Sequence, residues 1–311
     1  MTVERTAACY VLFTLFNSLN TVSSFFYSLN DGHTIPAVAL GTSLGHLADG
    51  TRVLPVNHSL AHAVQWALEA GYKHIDTAAL YRVEDEVGLG VQDYIQANNV
   101  NRSDVYITTK KNGEVSDTDY LETWKGLEDA KDQGLTDSIG VSNFNITQMT
   151  RLWENSRIKP AVLQIEVNPT ITNDELIIWC QERGVVVMAY TPFGAILGRK
   201  SDAPPPRADH PVLVNLAAKY KKTVPQILLR YLLERKLVAI PRSTNKERIK
   251  ENIDILDFSL TSEEVEELSS FNNNYRLRTP AKWYTHPHFP FEKKNLTAEE
   301  IEYIIAHSKD D

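Results

Sequence analysis

The sequence predicts an α/β chain folded as a (β/α)8 barrel of the TIM type, apparently lacking one β/α unit, with a short amino-terminal hairpin. Apolar runs of strand length alternate with stretches of helical period along most of the chain. The 311 residues suffice for one large domain, and 42% apolar residues with only 14 Gly and 14 Pro exclude a disordered or collagen-like chain. No GxGxxG follows an early strand, which counts against an open doubly wound sheet.

The elements follow in order. Phe26 to Leu29, Asn30-Asp31-Gly32 and His33 to Ile35 read as a hairpin, with Asp-Gly supplying a turn that tolerates positive φ. The first barrel strand is Ala37 to Leu40. A helix from His58 to Ala70 places Leu60, Val64, Ala67 and Leu68 on one stripe and stops at Gly71. Strand His74 to Asp76 leads to a helix over Glu84 to Ala97, and strand Val105 to Thr108 follows. Helix Asp119 to Gln133 ends at Gly134 and leads into strand Ser138 to Val141. Then come helix Gln148 to Glu154, strand Val162 to Glu166, helix Asn173 to Arg183 and strand Val185 to Ala189. A glycine- and proline-rich loop, Thr191 to Asp209, precedes helices Pro211 to Tyr220 and Pro225 to Glu234, the second with a capping box in Thr223 and Gln226. Strand Leu237 to Ile240 and a short helix Lys246 to Glu251 complete seven parallel strands. Between Lys110 and the helix near Asp119 stand only the residues KNGEVSDT, 111–118, too few for the roughly 31 residues of an average barrel unit.

Both ends fall outside the barrel. Ala7 to Phe16 is apolar but too short to span a bilayer. With Arg5 before it and small Val22 and Ser24 at a cut before Phe25, residues 1–24 are expected to form a signal peptide. Secretion is the leading expectation and a cytoplasmic location the alternative, in which this start packs on the domain or is artefactual. Four sequons, at Asn57, Asn101, Asn145 and Asn295, fit a glycoprotein. Cys9 and Cys180 cannot staple a fold, and Cys180 is expected to be a small buried hydrophobe. The barrel domain is placed at 25–290 and the tail, with a capping box at Thr297 and Glu300, at 291–311. His286 and His288 in the tail lack patterned carboxylates or a Cys, so no metal site is expected. Forty acidic against 32 basic residues give −8, which disfavours a surface that coats nucleic acid.

Three residues carry chemistry. Asp76 ends a strand, Tyr81 lies in the loop after it, and Lys110 ends the next strand. Carboxyl ends of barrel strands face one mouth, so the three converge there. A lysine cation would lower the tyrosine pKa, Asp76 would hold the lysine, and the tyrosine could then pass a proton to a carbonyl oxygen. Such residues also do structural work at barrel loops. Independently, Arg242, Lys246, Arg248 and Lys250 surround a short helix after a strand, a pattern that suits a phosphate or a solvated basic face.

From about His33 to Phe289 the chain resembles the aldo-keto reductase family. The resemblance rests on GYKHIDTAALY at 71–81, ITTK at 107–110, SIGVSNF at 138–144, LQIEVNP at 163–169, VMAYTPFG at 187–194 and IPRSTNKERIKEN at 240–252. It implies that Asp76, Tyr81 and Lys110 are catalytic. It also implies that Ser142, Asn143 and Gln164 hold a nicotinamide carboxamide and that Tyr190 stacks on the ring. Arg242, Ser243 and Arg248 match the grip on an adenosine 2′-phosphate, with Glu251 and Asn252 at the adenine. The implied cofactor is NADPH/NADP, and the implied partner is a small-molecule carbonyl substrate, with the protein acting as a monomer without a membrane span.

Three departures from the family pattern matter. Arginine at 242 replaces the usual lysine, keeping charge but changing reach. Ser43 stands where many members carry tryptophan, which widens the site for bulky alicyclic ketones. No histidine occurs between His74 and His210, so the fourth barrel strand, the helix before it and the family's fourth catalytic residue are missing together. With the opening DGHTIPAVALGTSLGH at 31–46, the chain resembles insect members of the family that process ecdysteroids, such as 3-dehydroecdysone reductases. Two functions are therefore expected in competition: reduction of an aldehyde or ketone, steroid-like ketones included, or a catalytically impaired NADP-binding homologue, including a non-functional splice product.

Overall fold

The structure is a computed structural model that describes residues 25–47, 51–111, 118–198 and 200–278, together with 284–285, 289–292, 297, 299 and 301–302. The expected signal peptide, Asn295, His286 and His288 lie outside the described residues. So does most of the tail, of which Ile301 N–H donates to the Thr297 carbonyl at 3.0 Å.

A hairpin of β1 (Phe26–Ser28) and β2 (Thr34–Pro36) opens the fold, with Phe26 opposite Pro36. Seven parallel strands follow: β3 (Leu40–Gly41), β4 (His74–Asp76), β5 (Tyr106–Thr108), β6 (Gly140–Ser142), β7 (Val162–Glu166), β8 (Val186–Tyr190) and β9 (Val238–Ala239). Ladders join β3, β4 and β5 in one sheet and β6, β7, β8 and β9 in another. Parallel bridges Val38–Ala239 and Gly41–Arg242 splice the sheets through β3 and β9. The order is thus β5-β4-β3-β9-β8-β7-β6. Among the described residues no ladder or bridge joins β5 to β6, so the barrel is one unit short there, where the sequence predicts the loss.

Helices α1 (Ser59–Glu69), α2 (Glu84–Asn98), α3 (Tyr120–Asp132), α4 (Ile146–Asn155), α5 (Asp174–Gln181), α6 (Pro211–Tyr220), α7 (Val224–Glu234) and α8 (Lys246–Ile253) connect the strands. Their apolar stripes and the outward strand residues Leu163, Ile165, Val187 and Ala239 form the main core. A second core fills the barrel, with Ala39, Met188, Val238 and Ile240 over Leu29 and Ile35. The hairpin therefore plugs the amino-terminal end. Tyr27 Oη donates to the Leu233 carbonyl at 3.3 Å, and Asn30 Nδ2 to that of Pro160 at 2.9 Å.

In β3, β6 and β8 the ladder extends one residue further toward the carboxyl end than the apolar run predicts. Apolar periodicity stops where the mouth begins, yet the ladder continues onto polar mouth residues such as Ser142. Strand 1, expected at Ala37 to Leu40, contributes only the Val38 bridge before Leu40. One helix, α9 (Ser262–Ser269), is absent from the sequence-based set, although its capping box, Thr261 with Glu264, is legible. Cys180 is fully buried, and burial pushes its thiol up to about 12. No helix of the described residues is long and apolar enough to cross a membrane.

Candidate active site

Asp76 ends β4 with its carboxylate inside the barrel, 3% exposed. Lys110, two residues past β5, donates to both Asp76 oxygens at 2.9 and 2.8 Å and to the Thr77 carbonyl at 2.8 Å. The ion pair follows from register, because β4 and β5 pair Asp76 with Thr108 and bring the two strand ends side by side. Tyr81 closes a short 3₁₀ turn, Ala79–Tyr81, whose first N–H donates to the Lys110 carbonyl at 3.0 Å. That bond ties the tyrosine loop to the lysine backbone. Lys110 Nζ lies 5.4 Å from the Tyr81 ring centroid, so the expected convergence of the three residues is present in the fold.

The expected electrostatics of Tyr81 are corrected. The lysine was to lower the phenol, but burial first and then Asp76 raise it, against weaker lowering by Arg52 and Arg278. The physical reason is that Lys110's charge is spent on Asp76 through two hydrogen bonds. Burial of the ring and the Asp76 carboxylate together disfavour the phenolate.

The residues on the other side of the mouth are mutually engaged. Ser142 ends β6 opposite Gln164 of β7. Asn143 follows in the left-handed region, φ 58°, and its N–H donates to the Gln164 carbonyl at 2.9 Å. Tyr190 Oη donates to Asn143 Oδ1 at 2.8 Å. Gln164, 4% exposed, sends Nε2 across the barrel to Asp76 Oδ2 at 2.7 Å.

The basic segment lies apart, after β9. Arg242 donates to the Ser43 carbonyl at 2.9 Å, and partial burial together with the like charge of Arg278 lowers its pKa. The Ser243 hydroxyl accepts from Asn245 N–H at 3.0 Å. The Asn245 side chain caps α8 by accepting from Arg248 N–H at 3.0 Å. The Arg248 side chain is exposed and has no hydrogen-bonding partner among the described residues, whereas Lys246 stands 5.5 Å over the Trp66 ring. Glu251 is exposed on α8, and Asn252 is buried beside it.

Sequence reasoning passes over three groups. Glu166, buried at the end of β7, accepts from Leu277 N–H at 3.0 Å and Arg278 N–H at 2.9 Å, pinning the last described loop to the mouth. Its signal was the inward alternation Val162, Gln164, Glu166. His74 sits inside the barrel with Nε2 2.8 Å from Thr108 Oγ1 and Nδ1 3.4 Å from the Pro36 carbonyl. Arg52, brought in by a loop bridge between His46 and Arg52, stands 5.7 Å from the Tyr81 ring centroid. No local pattern announces that approach. Among the described residues no cluster of three metal-ligating side chains exists.

Comparison with known proteins places this geometry. The model of the aldo/keto reductase family matches residues 39–117 and 113–273, two pieces that meet at the missing unit. Aldo-keto reductase AKR2E4 of Bombyx mori is 45% identical over 302 residues, covering 84% of this chain and 97% of that protein. Aldo-keto reductase family 1 member A1 of Gallus gallus is 33% identical over 328 residues, 86% and 97% of the two chains. In both, the aligned stretch is longer than the part of this chain that it takes in, so each relative carries residues with no counterpart here. The crystal structure of Bombyx mori AKR2E4 in complex with NADP superposes with a TM-score of 0.81 at 44% identity, over 87% of this chain and all of that one. AKR2E5, solved with NADPH, gives 0.84 at 37% identity over 89% and 96%. With sequence identity and backbone in agreement along most of its length, this chain belongs to the aldo/keto reductase family.

Proposed function

We propose that this chain is an NADP(H)-binding aldo-keto reductase homologue whose reduction of aldehydes and ketones is impaired in the form described. The reading rests on one observation: β5 and β6 have no pairing with each other, at the position where the resemblance puts a fourth strand with a catalytic histidine. Loss of a polarising donor of that kind costs on the order of 10²–10³ in rate.

The adenosine 2′-phosphate end of the cofactor suits the residues present. Arg248 offers an uncommitted guanidinium fork at the first turn of α8. Burial and, after it, the like charge of Arg278 disfavour the Arg242 cation, and a bound anion would offset both. Glu251 and Asn252, on the same helix, would meet the adenine. When bound, such a cofactor supplies hydride chemistry to the family.

A second reading is a competent reductase of bulky alicyclic ketones, in the manner expected of ecdysteroid-processing members. It is favoured by the assembled Asp76, Lys110 and Tyr81 and by the small Ser43 at the mouth. The two readings separate in one experiment on folded protein. NADPH is expected to bind more tightly than NADH, with Arg248→Ala reducing that preference by about tenfold. Carbonyl-dependent NADPH oxidation is expected to be near background and insensitive to Tyr81→Phe. Equal affinity for the two cofactors sinks the 2′-phosphate assignment, and rapid turnover abolished by Tyr81→Phe sinks the impaired reading.

A further inference from the structure

The mouth around Tyr81 carries more positive charge than the Asp76, Lys110 and Tyr81 group accounts for. Lys110 is matched by Asp76, and the Glu166 carboxylate accepts two backbone N–H groups. Two further cations reach the same tyrosine from distant parts of the chain. The Arg52 guanidinium carbon lies 5.7 Å from the Tyr81 ring centroid. Arg278 is anchored at the mouth by its own N–H, which donates to Glu166 at 2.9 Å. The charges of both arginines bear on the Tyr81 phenol, against the burial and the Asp76 charge that raise it. In a chain of net charge −8, these cations concentrate a positive field at one opening.

The loop between β3 and α1 presents Arg52 in a fixed place. Leu47 N–H donates to the Thr51 carbonyl at 2.8 Å and Val53 N–H to the Gly45 carbonyl at 2.9 Å, with His46 and Arg52 forming the bridge between them. That pairing orders the backbone before any ligand arrives, which lowers the cost of binding. Exposed apolar side chains stand beside it: Leu47 and Leu54 on the same loop, and Leu80 next to Tyr81. Such a rim suits a ligand with an apolar body, whereas planar guanidinium forks suit a carboxylate.

We propose that this mouth selects apolar carbonyl compounds that carry a carboxylate, with Arg52 and Arg278 as the residues that grip it. The proposal rests on the reading of the mouth at Tyr81 as the carbonyl end of a reductase site, and it adds the substrate class.

The test is calorimetric titration of the full chain, folded by circular dichroism, with formylnaphthoate and with its methyl ester, a neutral compound of nearly the same shape. Oxidised NADP is present in one series and absent in the other, so that no turnover interferes. The acid is expected to bind about tenfold more tightly than the ester in both series. Arg52→Gln and Arg278→Gln should each reduce that ratio to about threefold or less with the ester unaffected, and Arg52→Lys, which keeps the charge, should retain more than threefold. Acid and ester binding alike, neither binding, or a preference that survives both glutamine variants overturns the proposal. A preference abolished by oxidised NADP also overturns it, because the arginines would then belong to the cofactor. A chain that keeps the preference but binds no NADP upholds the proposal and sinks the cofactor reading.

Discussion

Tyr81, Lys110 and Asp76 behave as a unit whose parts cannot be read singly. The lysine that a spacing argument assigns to the tyrosine is bound to the aspartate, and the tyrosine is left with a raised phenol in a buried mouth. His74, one pleat below, shows burial acting in the opposite sense on a base. Burial pushes its pKa from 6.5 down to about 3, opposed by the Pro36 carbonyl and assisted by Lys110. The folded-state pKa lies below the unfolded one, so this stability is fully present above about pH 6.5 and is lost as pH falls toward 3. Urea unfolding at about pH 7 and pH 5 should show a loss about 2 kcal/mol larger in the native chain than in His74→Asn, after other groups cancel in the comparison. Equal pH slopes in the two proteins would show that His74 is not held neutral by the fold.

At the scale of elements, two glycines of α2 have opposite roles. A Cβ on Gly90 would stand 2.4 Å from the Ala61 carbonyl oxygen and 2.9 Å from Val64 Cβ, so α1 and α2 pack through it. A Cβ on exposed Gly88 would meet nothing within 4 Å. Gly88→Ala should stabilise the protein by about 0.5–1 kcal/mol through helix propensity alone. Gly90→Ala should destabilise it by about 1–2 kcal/mol, because overpacking outweighs the same gain. Thermal melts of both variants decide the matter; a shift of the same sign in each would refute the close contact. The sequence shows both residues as glycines in a helix, and only the neighbouring helix separates them.

For the whole molecule, the dominant feature is that the facing edges of β5 and β6 carry no ladder or bridge among the described residues. Unpaired strand edges expose backbone donors and acceptors, and an incomplete barrel cannot match tilt and shear around its circumference. Inserting the family's helix and strand with its histidine between Lys110 and Lys111 should raise both melting temperature and carbonyl-reducing activity. At this size each kcal/mol gained is worth roughly 2–4 °C. An inserted chain that melts no higher and turns over no faster would mean that this barrel is self-sufficient with seven strands.

Much of this architecture was legible in residue order. Alternating runs of period two and 3.6 gave the seven strands and eight of the nine helices of the described residues, because burial of one face is a local property of the pattern. Counting left one barrel unit short after Lys110, and the family resemblance placed the loss at the Lys110–Lys111 junction. What tertiary structure decided is how the polar residues of the mouth pair. The bonds from Gln164 to Asp76 and from Tyr190 to Asn143 link strands far apart in sequence, and Arg52 reaches Tyr81 through a loop. Hydrogen bonds and ion pairs depend on distances of a few ångströms, and no periodicity encodes those distances across a barrel that is one strand short.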